Sequence, residues 1–192
     1  MSARQSCTLG FRIKSGWAAA VLIANSAKAP TVIDSRVIEL ADPDVAYSRQ
    51  PYHAGLGTAQ TDTAKVTRLV RGIERFSRHA IAALVTEYRE RHRLRNAAVV
   101  ASSLTDPVSI ANQHMRAHAS EGRLFRVVLV DGLEHCGVTV RVVLEREVYE
   151  LLGKALRRSP SQAKAKVAAL GEGVGRWRVE QKVAAAAAWL VS

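Results

Sequence analysis

This chain of 192 residues is poor in sulfur and in rings: it has two cysteines, and aromatic side chains make up 5% of it. Cys7 and Cys136 show no CxxC spacing, which argues against a disulfide framework and a cysteine zinc module and fits a reducing cytosol. With so few aromatics, none interleaved with the basic runs, the chain does not look like a base-stacking platform for single strands. No stretch reaches the ~20 uninterrupted apolar residues of a membrane span. The first ten residues lack an apolar signal core, so a soluble, cytoplasmic protein without membrane association is expected. Gly171-Glu-Gly-Val-Gly175 follows no strand and lacks the Gly-Lys-Ser/Thr ending of a phosphate loop, so it reads as a helix stop and hinge. Acids are the other shortage, and Thr8 to Ala24 contains none.

Basic residues are plentiful instead. Lys and Arg number 28 against 17 Asp and Glu, a formal charge of +11, which favours a polyanionic partner, most commonly nucleic acid. Arg residues that merely solvate helix faces give the same count. The length suits one well-filled core, so residues 1–192 are expected to form a single domain. Nothing in the sequence speaks to oligomeric state.

Thr8 to Ala24 reads as two apolar strands folded at Lys14-Ser15-Gly16, with a third strand at Thr31 to Leu40 after a short Pro-containing link. Residues 41–60, with Pro43, Pro51, Gly55 and Gly57, read as a long polar loop. Such loops bind something or merely cover the surface, which makes Gln50-Pro51-Tyr52-His53 a site candidate and Tyr52 an anchor. From Thr61 or Asp62 to about His92, apolar residues recur at three- and four-residue spacing, predicting a helix of ~45 Å with a basic outer face. Asn96 to Ser102 suits a buried parallel strand. A second long helix is predicted from Ser109 to His135, with Gly122 as a point of interruption. Val138 to Val143 is the fifth strand. Three helices follow, Glu145 to Arg157, Pro160 to Leu170 and Trp177 to Val191.

The second helix places His114, His118 and Glu121 at i, i+4 and i+7 on one stripe that continues into Phe125 and Val128. Two imidazoles and a carboxylate there could ligate a divalent metal, or Glu121 could pair with an Arg while the histidines bond near the helix start. No other cofactor is suggested.

The order β-β-β-α-β-α-β-α resembles the ribonuclease H-like fold, an α/β fold with a mixed five-stranded sheet and helices on its faces. Within it the RuvC-type resolvases are the nearest branch, because Leu9-Gly-Phe-Arg-Ile-Lys-Ser-Gly16 resembles the Gly-Ile-Asp-x-Gly-Ser start of their first strand. The chain also resembles a group of bacterial proteins marked by QPYHA, HAxEGxLFR and W-x-x-(D/E)-Q-K-x-A-x-x-A-W. Those motifs stand here at Gln50 to Ala54, His118 to Arg126 and Trp177 to Trp189, and that likeness brings no activity with it.

In ribonuclease H-like nucleases, carboxylates from the first strand, the fourth strand and the last helix hold two divalent cations. The resemblance puts Arg12 at the first position, Ser102 or Ser103 at the second, and Glu180 at the third. One carboxylate does not hold two hard cations. The leading expectation is therefore a nucleic-acid-binding, catalytically degenerate protein that contacts phosphates through Arg12, Lys14, Arg116, Arg123, Arg178 and Lys182. Glu121, Glu180, Lys182 and Arg12 are expected to share a charged pocket. The alternatives are a metal-dependent phosphodiester hydrolase built on His114, His118 and Glu121 with Glu180 in support, and a protein-interaction scaffold.

Overall fold

The computed structural model describes residues 4–26, 30–55 and 57–192; three residues of the expected link before Thr31, 27–29, lie outside them. The first two strands, β1 (Gln5–Lys14) and β2 (Trp17–Ala24), form a hairpin closed at Ser15 and Gly16. Gly16 has φ +83°, a conformation that costs glycine nothing, and its carbonyl accepts from the amides of Leu40 (2.8 Å) and Ala41 (3.1 Å). That contact fixes the chain as it leaves β3 (Thr31–Glu39), which pairs antiparallel with β2. The parallel strands β6 (His92–Ala101) and β7 (Thr139–Leu144) lie on the other side of β1, giving the order β3-β2-β1-β6-β7. The expected mixed five-stranded sheet is therefore the one observed.

Because the sheet is covered on both faces, its central strands are apolar at nearly every position. Alternation sorts them. Leu9, Phe11 and Ile13 pack with Leu22, Ala97 and Val99 on the face holding α1 (Thr63–Arg91) and α2 (Gln113–His135). Val21, Ile23, Ala98 and Val100 face α3 (Val148–Leu156), α4 (Pro160–Ala169) and α5 (Val179–Leu190). Gly10 makes the second face possible. A Cβ there would lie 1.9 Å from the Ala184 carbonyl oxygen and 2.9 Å from Ala188 Cβ, so α5 rests directly on the β1 backbone. Trp177 closes the turn before α5, its ring against Gly171 and its Nε1 donating to the Val167 carbonyl at 3.3 Å.

Several expected boundaries shift for tertiary reasons. β6 starts at His92 rather than Asn96 because the first residues of β1 offer it a partner, Gln5 opposite His92. α2 starts at Gln113, after a 3-10 turn at Pro107–Ser109, and runs unbroken through the exposed Gly122. A 3-10 turn at Glu145–Glu147 likewise precedes α3. Residues 41–60 are not one irregular loop. Turns organised by Asp42, whose carbonyl accepts from Ser48 Oγ at 2.6 Å, lead into a short hairpin of β4 (His53–Gly55) and β5 (Thr58–Ala59).

Side chains lock β3 to α1: Tyr88 donates to Asp34, and Arg36 bonds Asp34 and bridges to Glu87 at 2.8 and 2.9 Å. The two cysteines are free; Cys7 is buried, which raises its thiol pKa, and Cys136 is partly exposed. We therefore expect a thiol reagent to titrate Cys136 promptly in the native protein and Cys7 only after denaturation. Equal reaction rates would contradict the packing of β1.

Candidate functional site

The amino half of α2 carries the histidine stripe. Asn112 caps this helix by accepting from the Met115 amide at 3.0 Å, which sets the phase of the residues that follow. His114 is half-buried, His118 has 47% of its side chain exposed, and Glu121 is 1% exposed. Facing them from β4 is His53, 4% exposed. Its backbone is held on both sides, with its amide donating to the Gln50 carbonyl at 3.1 Å and the Gln60 amide donating to the Tyr52 carbonyl at 2.8 Å. Tyr52 is half-buried and packs against the core, so it does anchor the segment.

Glu121 therefore pairs with a histidine, where an arginine partner was expected. His53 Nδ1 lies 2.7 Å from Glu121 Oε1. With Nδ1–H donating to the carboxylate, His53 Nε2 is left as a bare lone pair, 3.3 Å from His114 Nδ1. His114 Nε2 in turn lies 3.2 Å from His118 Nε2, and the three ring centroids are 4.4 to 5.2 Å apart. Glu121 Oε2 is buried and accepts no hydrogen bond; His118 Nδ1 lies 3.9 Å from it. Burial raises the Glu121 carboxyl above the ordinary carboxylate range, opposed by the bond and charge of His53 and by the Tyr52 backbone. Burial, then His53 and His114, lower His118, which favours neutral imidazole.

A second feature adjoins the first. The carboxyl ends of the parallel strands β1 and β6 open into a cleft of about 320 Å³ lined by Arg12, Ile13, Lys14, Ser15, Ala101, Ser102, Ser103, His118 and Gly122. Such ends are where ligands bind in open α/β sheets. Arg12 is buried there and donates to Glu145 and to the Ile13 carbonyl. Lys14 lies 3.8 Å from Glu180. Beside the cleft Arg126 donates to the Ser103 carbonyl at 3.0 Å, while Arg123 lies 3.2 Å from Asp106. Burial, and then the Arg123 charge, lower Arg126 from the ordinary guanidinium value.

The expected pocket of Arg12, Glu121, Glu180 and Lys182 is thus divided. Glu121 stands on α2 and Glu180 and Lys182 on α5, on opposite faces of the sheet, and Arg12 has Glu145 as its partner. Arg116 spends its guanidinium on the Ile110 and Ala111 carbonyls, and Arg178, exposed, is the N-cap residue of α5. His53 was visible in sequence only as part of Gln50 to Ala54, and its burial was not. Arg126 was visible only as the last residue of the His118 to Arg126 motif, and Glu145 only as the start of an expected helix.

The carboxylate set of a ribonuclease H-like two-metal centre does not fit this cleft. Ser102 and Ser103 carry no charge, Arg12 repels cations, and among the described residues the acids paired at this edge, Glu145 and Glu180, already face Arg12 and Lys14.

No protein-family model matches the sequence, and no curated protein matches it either. Solved structures do resemble it. RuvC of Thermus thermophilus is 16% identical, with a TM-score of 0.51 over 96% of this chain and 91% of that one. The T. thermophilus RuvC structure in complex with Holliday junction substrate is 14% identical, with a TM-score of 0.54 over 97% of this chain and 92% of that one. At this level of identity the likeness establishes a shared architecture: the chain has the ribonuclease H-like fold that these RuvC structures also have.

Proposed function

We propose that this protein is a cytoplasmic nucleic-acid-binding member of the ribonuclease H-like fold that does not use the paired-carboxylate, two-metal chemistry of nucleases. The observation that carries this reading is the cleft at the ends of β1 and β6, lined by Arg12, Lys14, Ser15, Ser102 and Ser103 with no carboxylate among its lining residues. A cleft built this way suits a phosphate better than a cation. Arg126, bonded to the Ser103 carbonyl, adds a further cation beside the cleft. The formal charge of +11 supplies long-range attraction, and a RuvC with this fold has been captured with a DNA junction. Free thiols at Cys7 and Cys136 suit a reducing compartment.

The test is a titration with single-stranded, duplex and four-way-junction nucleic acid, scoring binding and cleavage together. Four phosphate contacts would give a slope of about −3.6 in log affinity against log salt, so affinity falls about a hundredfold between roughly 50 and 200 mM. Binding without cleavage, weakened by Lys14→Ala and Arg126→Ala, is the expected result. No binding at low salt refutes the reading and leaves a protein-interaction scaffold. The hydrolase alternative is favoured by one observation, the cluster of three imidazoles of which His118 lines the cleft, and it predicts cleavage that depends on an added divalent ion.

A further inference from the structure

We propose that His53, His114 and His118 form a mononuclear Zn²⁺ site, with Glu121 as the buried carboxylate that orients two of the three imidazoles and an open coordination position toward the cleft. This inference is independent of nucleic-acid binding. It also differs from the carboxylate-held metal pair discussed above in its ligands, its position and the number of ions.

Three imidazoles are a recognised zinc donor set, with Zn–N distances of ~2.0–2.1 Å and a fourth position left for water or substrate. Two nitrogens bound to one tetrahedral ion at those distances stand ~3.3 Å apart. The contacts from His53 to His114 and from His114 to His118 are 3.3 and 3.2 Å, and the ligating atoms of all three residues lie within 4.8 Å of one another. Since His114 offers Nδ1 to one neighbour and Nε2 to the other, a rotation of its ring is enough to gather the donors around one ion.

Glu121 explains why the donors point where they do. Ligating histidines ordinarily give their second N–H to a carboxylate or carbonyl, which fixes the tautomer and raises ligand basicity. His53 already does this through Nδ1 at 2.7 Å. The other carboxylate oxygen, Oε2, is buried without a hydrogen-bond partner and lies 3.9 Å from His118 Nδ1. Coordination of His118 through Nε2 leaves a proton on Nδ1, for which Oε2 is the waiting acceptor. One carboxylate then holds both rings, and the orphaned oxygen is satisfied.

A cation seated among the three rings would also lie beside the buried Glu121 carboxylate, whose Oε1 is 2.7 Å from His53 Nδ1. Imidazole donors favour Zn²⁺ over Mg²⁺, which takes oxygen. The exposed flank of the cluster is His118, which lines the cleft with Lys14, Ser102 and Ser103, so an oxygen of a bound anion can reach the open position.

The experiment uses the full chain stripped with chelator and titrated calorimetrically with Zn²⁺, and with Co²⁺ as a spectroscopic probe. One equivalent should bind, with the visible absorption of low-coordinate cobalt and a rise in Tm. Glu121→Gln should weaken binding by about 10- to 100-fold. His118→Ala should abolish the cobalt spectrum, and its exposed ring makes the variant safe to fold; His79→Ala, exposed on α1 and outside the cluster, should change nothing. Absence of saturable one-to-one binding to the folded wild type overturns the proposal, as does binding that survives the His114→Ala, His118→Ala double substitution. Nucleic-acid affinity measured on the chelated protein tests the other reading separately.

Discussion

Gly10→Val is expected to yield protein with no cooperative unfolding transition. The added Cβ alone would sit 1.9 Å from the Ala184 carbonyl oxygen and 2.8 Å from its carbon, both backbone atoms that no rotamer change can move. Relief requires α5 to lift off β1, and the helix is enclosed on every side there, with five consecutive fully buried alanines, Ala184 to Ala188. Ordinary overpacking costs about 1–3 kcal/mol because side chains yield. Here a helix must move as a body, so the cost should exceed ~3 kcal/mol even for Gly10→Ala, a large share of the ~5–15 kcal/mol that holds a typical domain together. Gly72→Ala is the contrast: a Cβ there meets nothing within 4 Å, and replacing a mid-helix glycine should add about 0.5–1 kcal/mol. Urea midpoints measure both. A Gly10→Ala variant within about 1 kcal/mol of wild type would mean that α5 does not seat on β1 as described.

Glu121→Ala should be the next most damaging change, at about 2–4 kcal/mol for a buried donor left unpaired and the cavity beside it. Two losses combine. The His53 Nδ1–H, 4% exposed, loses its acceptor, and a cavity opens near Phe125 and Leu124. Glu121→Gln keeps the volume and an acceptor and should cost much less. The hairpin that carries His53 is only three and two residues long, so the protein can limit its loss by releasing that hairpin while the sheet stays folded. The prediction then has two readouts: a lower urea midpoint, and faster amide exchange and proteolysis within residues 41–60. If neither changes, the His53–Glu121 pair does not hold the segment.

What could be read from the sequence followed from local periodicity. Continuous apolar runs placed β1 and β2, alternation placed β7, the three- and four-residue spacing placed α1, and Pro160 marked the start of α4, where Ser159 forms a capping box with Gln162. The stripe of His114, His118 and Glu121 was legible for the same reason, since helical spacing fixes which residues share a face. What it does not fix is the residue opposite. His53 lies 68 positions from Glu121, and Glu145 lies 133 from Arg12, so no local pattern connects them. The β4–β5 hairpin is too short to carry any period, which is why residues 41–60 read as loop. The shared pocket failed for a simpler reason: topology sent α2 and α5 to opposite faces, which their individual sequences do not record.

The sheet ends at β3 on one side and β7 on the other, and each end carries charge where a neighbouring copy would have to add a strand. β3 places Asp34 beside a register irregularity opposite Leu22 and Ile23, with Arg36 two residues further on, and β7 is six residues long with Arg141 near its middle. Unpaired strand edges are templates for aggregation, and charge, irregular pairing and brevity are the usual guards. Ile33 and Val37 are already partly exposed on β3. Arg36 is thus a gatekeeper as well as a tie to α1: without it, the longer edge would present an apolar strand to the next molecule, and the damage would appear as lost solubility in concentrated solution rather than as a lower melting temperature.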